Sequence, residues 1–302
     1  MSTRVTQSML NQNLLVNLQR SDRAMEKLQN QLSSGKKINR PSDNPVIAVR
    51  SMDYRSSLND ISQFKSNADD GISWMTTTDE ALDEVTSVLQ RVRELTVKGL
   101  NGTSGTTDRS AIADEIDQLK EHLGEVANSQ IAGKYIFAGT DVKAPPYRED
   151  PAIIGSAKAF RNNNQEKLEY QVGQTSNVQI NISGTDIFNN DGNGGLFKAL
   201  SDIVSDFRSS LGSVSDHLGD LDVQIDSILT KRSELGARMN RMELSQSRLD
   251  QLEVSTSSLL SKEGDVDISQ VIIDLKSQEN VHQAALSVGA KVIQTSLVDF
   301  LR

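Results

Sequence analysis

Between Leu221 and Leu249 the positions Leu221, Ile225, Ile228, Arg232, Leu235, Met239, Met242, Gln246 and Leu249 recur in alternating steps of four and three. That spacing is the rhythm of a helix packed against another helix along one seam. Such a helix does not stand alone, because polar helices draw most of their stability from packing an amphipathic face. The rest of the chain must supply its partners. Arg232 and Gln246 occupy seam positions, where a polar residue costs stability and fixes register.

Partners are available at helical spacing on both sides. No proline follows Pro45 until beyond Lys98, and Leu58, Ile61, Phe64, Ala68, Ile72, Met75, Leu82, Val85, Leu89, Val92 and Leu95 form one stripe. Unbroken, that helix would run roughly 80 Å. Gly71 and Thr76–Thr78 are its weak spots. Gly99–Gly105 is a turn, after which Thr107 or Asp108 is expected to cap a helix carrying Ile112, Ile116, Leu119, Leu123 and Val126. Helix resumes at Leu196, with a soft point at Gly212–Ser213. The two ends of the chain are helical as well. Leu14, Leu18, Ser21, Met25, Leu28 and Leu32 make a thin seam, whereas Val271, Leu275, Ala285, Leu286, Val288, Val292, Ile293, Leu297 and Phe300 make a face wider than one seam requires. Apolar surface left over in this way marks an interface. Leu14, Leu18, Met25, Leu28, Leu32, Leu286, Ile293, Leu297 and Phe300 are therefore the expected assembly residues.

A joint separates each end helix from its long neighbour. At the first, Gly35 suits a left-handed cap, Lys36 and Lys37 face the negative end of the helix dipole, and Pro41 lies in the loop. Asp43 or Asn44 then caps a new helix whose first turn holds Pro45. At the second, Gly264 breaks the helix, and Asp267 with Gln270 reads as a capping box. Compliance is expected at these two joints.

The pattern changes near Lys134. Tyr135, Phe137, Tyr147, Phe160, Tyr170, Phe188, Phe197 and Phe207 are 8 of the 12 aromatic residues in the chain. Leu168, Tyr170 and Val172 alternate with polar residues, as do Val178, Ile180 and Ile182, which predicts two short strands. The fold class expected is mainly α: a long antiparallel helical rod built by both chain ends, with a small β-rich domain inserted at its tip. The expected divisions are a terminal coiled-coil domain of residues 1–44 and 262–302, a helical rod of 45–137 and 196–261, and a β-rich insert of 138–195.

Composition excludes several classes of function. The 302 residues carry a net charge of −9, with no basic stripe for nucleic acid, and no cysteine for a disulfide, a thiolate metal site or a nucleophile. No apolar run approaches the roughly 18 residues that span a bilayer, and the N-terminus lacks a charged-then-apolar signal pattern. His122, His217 and His282 lie far apart. Glu279–His282 has the Glu-x-x-His form of a di-iron bundle without the other ligands such a site needs. Asn189–Asn193 resembles a calcium loop only faintly, because its twelfth position is Leu200. Gly35-Lys36 and Gly133-Lys134 lack the upstream glycine of a phosphate loop. Neither catalysis, metal nor cofactor is expected.

The stretch Gln31-Leu-Ser-Ser-Gly-Lys-Lys-Ile-Asn-Arg-Pro-Ser-Asp-Asn-Pro45 resembles the N-terminal signature of flagellins and flagellar hook-associated proteins. Asn67–Ser73, Leu82–Val85, Leu89–Leu95 and Asp108–Ile116 resemble the blocks that follow it, and Ala284–Arg302 resembles the C-terminal helix of that family. The likeness covers roughly the first 140 and last 50 residues. Gly133–Thr140, Pro145-Pro146-Tyr147 and the Arg40-Pro41 and Asn44-Pro45 pairs lean toward the family branch that forms the hook–filament junction, flagellin itself being the alternative. The resemblance implies a structural subunit, exported unfolded through the flagellar type III apparatus without a cleaved signal. It implies as partners further copies in a ring, hook-associated protein 1, flagellin, and a cytoplasmic export chaperone on the C-terminal apolar face.

Overall fold

A computed structural model describes residues 7–100, 105–149, 158–189, 195–209 and 214–300. Helix α1 is Gln7–Ser34, α2 Pro45–Leu100 and α3 Thr106–Ala127. Six short strands follow: β1 Gln130–Ile131, β2 Lys134–Tyr135, β3 Tyr147–Arg148, β4 Ala159–Phe160, β5 Glu169–Gly173 and β6 Ser176–Gln179. Helices α4 Gly184–Phe188, α5 Gly195–Ser209, α6 Val214–Gly264 and α7 Ile268–Phe300 complete the order. The fold is mainly α, with the N- and C-terminal helices packed together and a small β-rich insertion. The chain divides into two compact units, Met1–Asp60 with Leu252–Arg302, and Ile61–Gln251.

The larger unit is organised by α2 lying antiparallel to α6. Leu221, Ile228, Leu235, Met242 and Leu249, one residue in every seven, are fully buried or nearly so. The other seam column, Ile225, Arg232, Met239 and Gln246, is only half-buried, and its polar members meet α2. Arg232 bonds Asp79 at 3.0 Å and Asp83 at 2.7 Å, and Gln246 donates to Asp69. Lys65–Asp250 and Arg93–Asp222, both at 2.7 Å, extend the same register. The polar interruptions of the heptad are therefore paired, and each pair forms only when the two helices are correctly aligned.

Helices α3 and α5 and the insertion share one core with this pair. The strands form three separate antiparallel hairpins: β1–β2, β3–β4 and β5–β6. The β5–β6 hairpin is tied to both long helices, since Asn67 donates to the Gln171 carbonyl and Arg241 to that of Asn177. Phe137, Phe160, Phe188, Phe197 and Tyr147 form a chain of ring contacts with centroids 4.7–5.7 Å apart. The aromatic enrichment seen in the sequence thus becomes the core of the insertion.

Several local expectations are revised. Helix α2 runs through Gly71 and Thr76–Thr78 without a break. At Gly71 a Cβ would lie 2.7 Å from Met242 Cε and 3.2 Å from Ile180 Cγ2, so the glycine permits close packing there. Helix α3 starts at Thr106, and Asp108 contributes from the third helical position by accepting the Gly105 N–H. The strand expected over Val178–Ile182 ends at Gln179, with Ile180 and Ile182 still buried. The turn residues 101–104, most of the faint calcium loop (190–194) and Gly212–Ser213 lie outside the described residues.

Two glycines should respond to alanine with opposite signs. At Gly124 a Cβ would fall 2.1 Å from the Tyr147 ring, whereas at Gly236 nothing lies within 4 Å. Alanine is the better helix former by about 1 kcal/mol, but overpacking costs about 1–3 kcal/mol. Gly236→Ala should raise the thermal unfolding midpoint and Gly124→Ala should lower it. Equal shifts in calorimetry would contradict the packing assigned to Tyr147.

Candidate assembly interface

Helix α1 ends because Gly35 turns left-handed, with φ +68°, and its N–H returns to the Gln31 carbonyl at 2.9 Å. Past it the Asp43 carboxylate accepts the backbone N–H groups of Arg40 (2.9 Å) and Asn39 (3.2 Å). These two bonds, Arg40 first, hold its pKa below the usual aspartate value. Asn44 caps α2 by accepting from Val46 and Ile47, and Pro45 takes the first helical position, where a missing N–H is harmless. Pro41 lies exposed in the loop between them. Asp43 therefore closes the loop and Asn44 is the cap.

The two joints are bonded to each other. Lys37 N–H donates to the Gly264 carbonyl at 2.8 Å, and Val266 N–H to the Gly35 carbonyl at 3.0 Å, forming an antiparallel bridge between Lys36 and Asp265. Lys36 Nζ pairs with Asp265 at 2.5 Å, and Ser261 Oγ donates to the same carboxylate. Lys37 Nζ reaches the Lys262 carbonyl. Asp267 caps α7 through the N–H groups of Ser269 and Gln270, but the Gln270 side chain turns forward to Asp274, so the cap is not a box. This bridge cross-links the two joints at which the sequence leads one to expect compliance.

From the bridge, α1 and α7 run antiparallel. Gln278 donates to Ser21 Oγ at 2.9 Å, His282 Nδ1 lies 3.3 Å from Asp22, and a Cβ on Gly289 would come within 2.8 Å of Leu14. Leu14, Leu18, Met25, Leu28 and Leu32 are half-buried in this seam. The seam of α7 is Val271, Leu275, Gln278, His282, Ala285 and Gly289, again in steps of four and three. Gln278, His282 and Gly289 were missed as seam residues, although continuing the step from Val271 and Leu275 would have found them. Leu286 lies on the flank, 49% exposed. The side chains of Ile293, Leu297 and Phe300 lie outside the described residues.

The smaller unit has little core of its own. Among the described residues its buried apolar side chains are Ala48 and Val271, yet it holds 15 of the 19 large apolar residues that are exposed. Ile268, Ile272 and Leu286 flank the α7 seam on one side, Val281 and Val288 on the other. Charge divides the same way: 13 basic and 12 acidic residues in this unit, 19 and 29 in the larger one. Exposed apolar side chains grouped on a nearly neutral unit are of the kind that a partner surface covers. Among the described residues no group of three histidine, aspartate or glutamate side chains could hold a metal ion, and no helix is long and apolar enough to cross a membrane.

The bridge carries a pH signature. Asp265 is held below the usual aspartate pKa first by its bond from Lys36 and then by Ser261. A depressed folded value stabilises above the ordinary pKa, near 3.8, and that contribution disappears as pH falls through the folded value. Lys36→Met should move the Asp265 titration, followed by carboxyl-carbon NMR, up toward the ordinary value. An unchanged titration would remove Lys36 as its cause.

Comparison with known proteins places this architecture. The profile of the bacterial flagellin N-terminal helical region matches residues 5–141. The flagellin of Bacillus subtilis (strain 168) is 28% identical over 300 residues, covering 93% of both chains. Flagellar hook-associated protein 3 of Escherichia coli (strain K12) is 25% identical over 297 residues, again 93% of both. In structure, flagellar hook-associated protein 3 from Legionella pneumophila superposes with a TM-score of 0.61 at 14% identity, over 69% of this chain and 97% of that one. Its N-terminal region matches the flagellin profile, and along nearly its whole length the chain is similar both to flagellins and to a flagellar hook-associated protein.

Proposed function

We propose that this chain is the junction subunit between flagellar hook and filament, the counterpart of hook-associated protein 3, and that it assembles through α1 and α7. The likeness to flagellins and to a hook-associated protein supports a secreted, structural, non-catalytic component of the flagellar apparatus. The observation that carries the assembly reading is the smaller unit, whose apolar side chains are largely uncovered within one chain. In this reading residues 1–44 and 262–302 form the assembly region, 45–137 and 196–261 the helical body, and 138–195 the inserted domain. Leu14, Leu18, Met25, Leu28, Leu32, Leu286, Ile293, Leu297 and Phe300 supply the interface. Further copies form a ring, hook-associated protein 1 lies on the hook side, flagellin on the filament side, and an export chaperone covers the C-terminal face before secretion.

The junction branch is favoured by Gly133–Thr140. This segment turns through Gly133 (φ +77°) and Gly139 (φ +65°), where a Cβ would lie 2.8 Å from the Asn164 carbonyl, and leads into Tyr147, whose ring packs on Gly124. The second reading is flagellin itself, favoured by the full-length likeness to the Bacillus subtilis protein.

Quantitative mass spectrometry of sheared flagella separates the two. A junction subunit should be a minor component, and its deletion should leave hooks intact while flagellin escapes into the medium. If this chain is instead the bulk protein of the filament, the flagellin reading replaces the first. Leu28→Asp, which places a charge in the α1–α7 seam at a cost on the order of a few kcal/mol, should be secreted but not incorporated. Normal flagella with that variant would remove the seam from the interface.

A further inference from the structure

The loop of residues 36–43 has a cavity on each side. The cavity next to α1, about 330 Å³, is lined by Arg23, Lys27, Lys37 and Arg40, with Glu26 and Asp43. The cavity next to α2, about 210 Å³, holds Lys36, Arg40 and Arg55 and no carboxylate. Ser51, only 7% exposed, also borders it. Asp43 is already engaged by two backbone N–H groups and Lys36 by Asp265. Arg23, Arg40 and Arg55 make no ion pair among the described residues. By contrast Arg91, Arg93, Arg208, Arg232 and Arg238 of the larger unit each hold a carboxylate. A guanidinium group that holds no carboxylate suits one, which accepts two of its N–H donors.

The chain itself carries the complementary surface. Its larger unit has ten more acidic than basic residues, and Asp70, Glu80, Asp226 and Glu243 are exposed there without an ion pair among the described residues. We propose that the cavities beside the joint are a docking site for the carboxylates of the larger unit of a second copy of this chain. The inference rests on the self-assembly reading above and adds to it a polar contact outside the apolar end helices.

The absence of cysteine makes a single-site probe simple. Pro41→Cys, at the exposed loop, would carry a photo-crosslinker in intact flagella, and mass spectrometry would identify the captured peptide. Peptides of a second copy that contain Asp70, Glu80, Asp226 or Glu243 are expected. Capture of the partner copy's end helices, of a different protein, or of nothing would overturn the proposal. Independently, Arg40→Glu with Arg55→Glu should be secreted yet incorporated at least tenfold less. Adding Asp70→Arg and Glu243→Arg should restore incorporation. If circular dichroism shows that the reversal disturbs folding, Arg40→Gln with Arg55→Gln decides. Unimpaired incorporation of the charge variants, with Leu28→Asp still excluded, would reject this docking site and leave assembly through the end helices standing.

Discussion

Two backbone hydrogen bonds, Lys37 to Gly264 and Val266 to Gly35, fix how the ends of this chain meet. They join segments more than 220 residues apart in sequence and make them locally a β-bridge. Everything beyond them inherits that alignment. Because Gly35 and Gly264 lie at one level, α1 and α7 leave the bridge side by side, and Ser21 meets Gln278. The Gly35 conformation matters because an ordinary side chain there would cost about 1–2 kcal/mol of backbone strain.

The two units solve the problem of burial differently. The larger one closes a core from four helices and an aromatic insertion, and its polar seam residues are paired across α2 and α6. The smaller one places a polar layer, Ser21–Gln278 and Asp22–His282, in the α1–α7 pair and leaves both flanks of α7 apolar and exposed. A polar layer of this kind specifies register at some cost in stability. The same unit therefore has a definite alignment and little internal reason to be stable.

Much of the helical organisation was legible in the sequence because it rests on periodicity. The four-three steps of α6, the Gly35 stop and the proline at the start of α2 depend on residues close in sequence, and all appear in the structure. What was not legible depends on distant residues. Gly71 looks like a weak point in a helix until Met242 and Ile180 are seen against it. Asp43 and Asn44 are equally good caps on paper, and only the fold of the loop assigns one to each task. Gln278 and His282 are masked in the sequence by the apolar residues on both flanks of α7, which read as one wide face rather than a seam. The bridge between the joints has no local signal, since backbone groups of any residue can form it.

The thin core of the smaller unit has a consequence in mass action. In the proposed assembly, side chains left uncovered within one chain are covered where chains meet. Association that favours the folded form adds stability in proportion to the logarithm of the available binding partner. The order of α1 and α7 is then a property of the local supply of neighbours as well as of the sequence, while the order of the larger unit is intrinsic. On that proposal one polypeptide joins a unit whose order depends on concentration to one whose order does not.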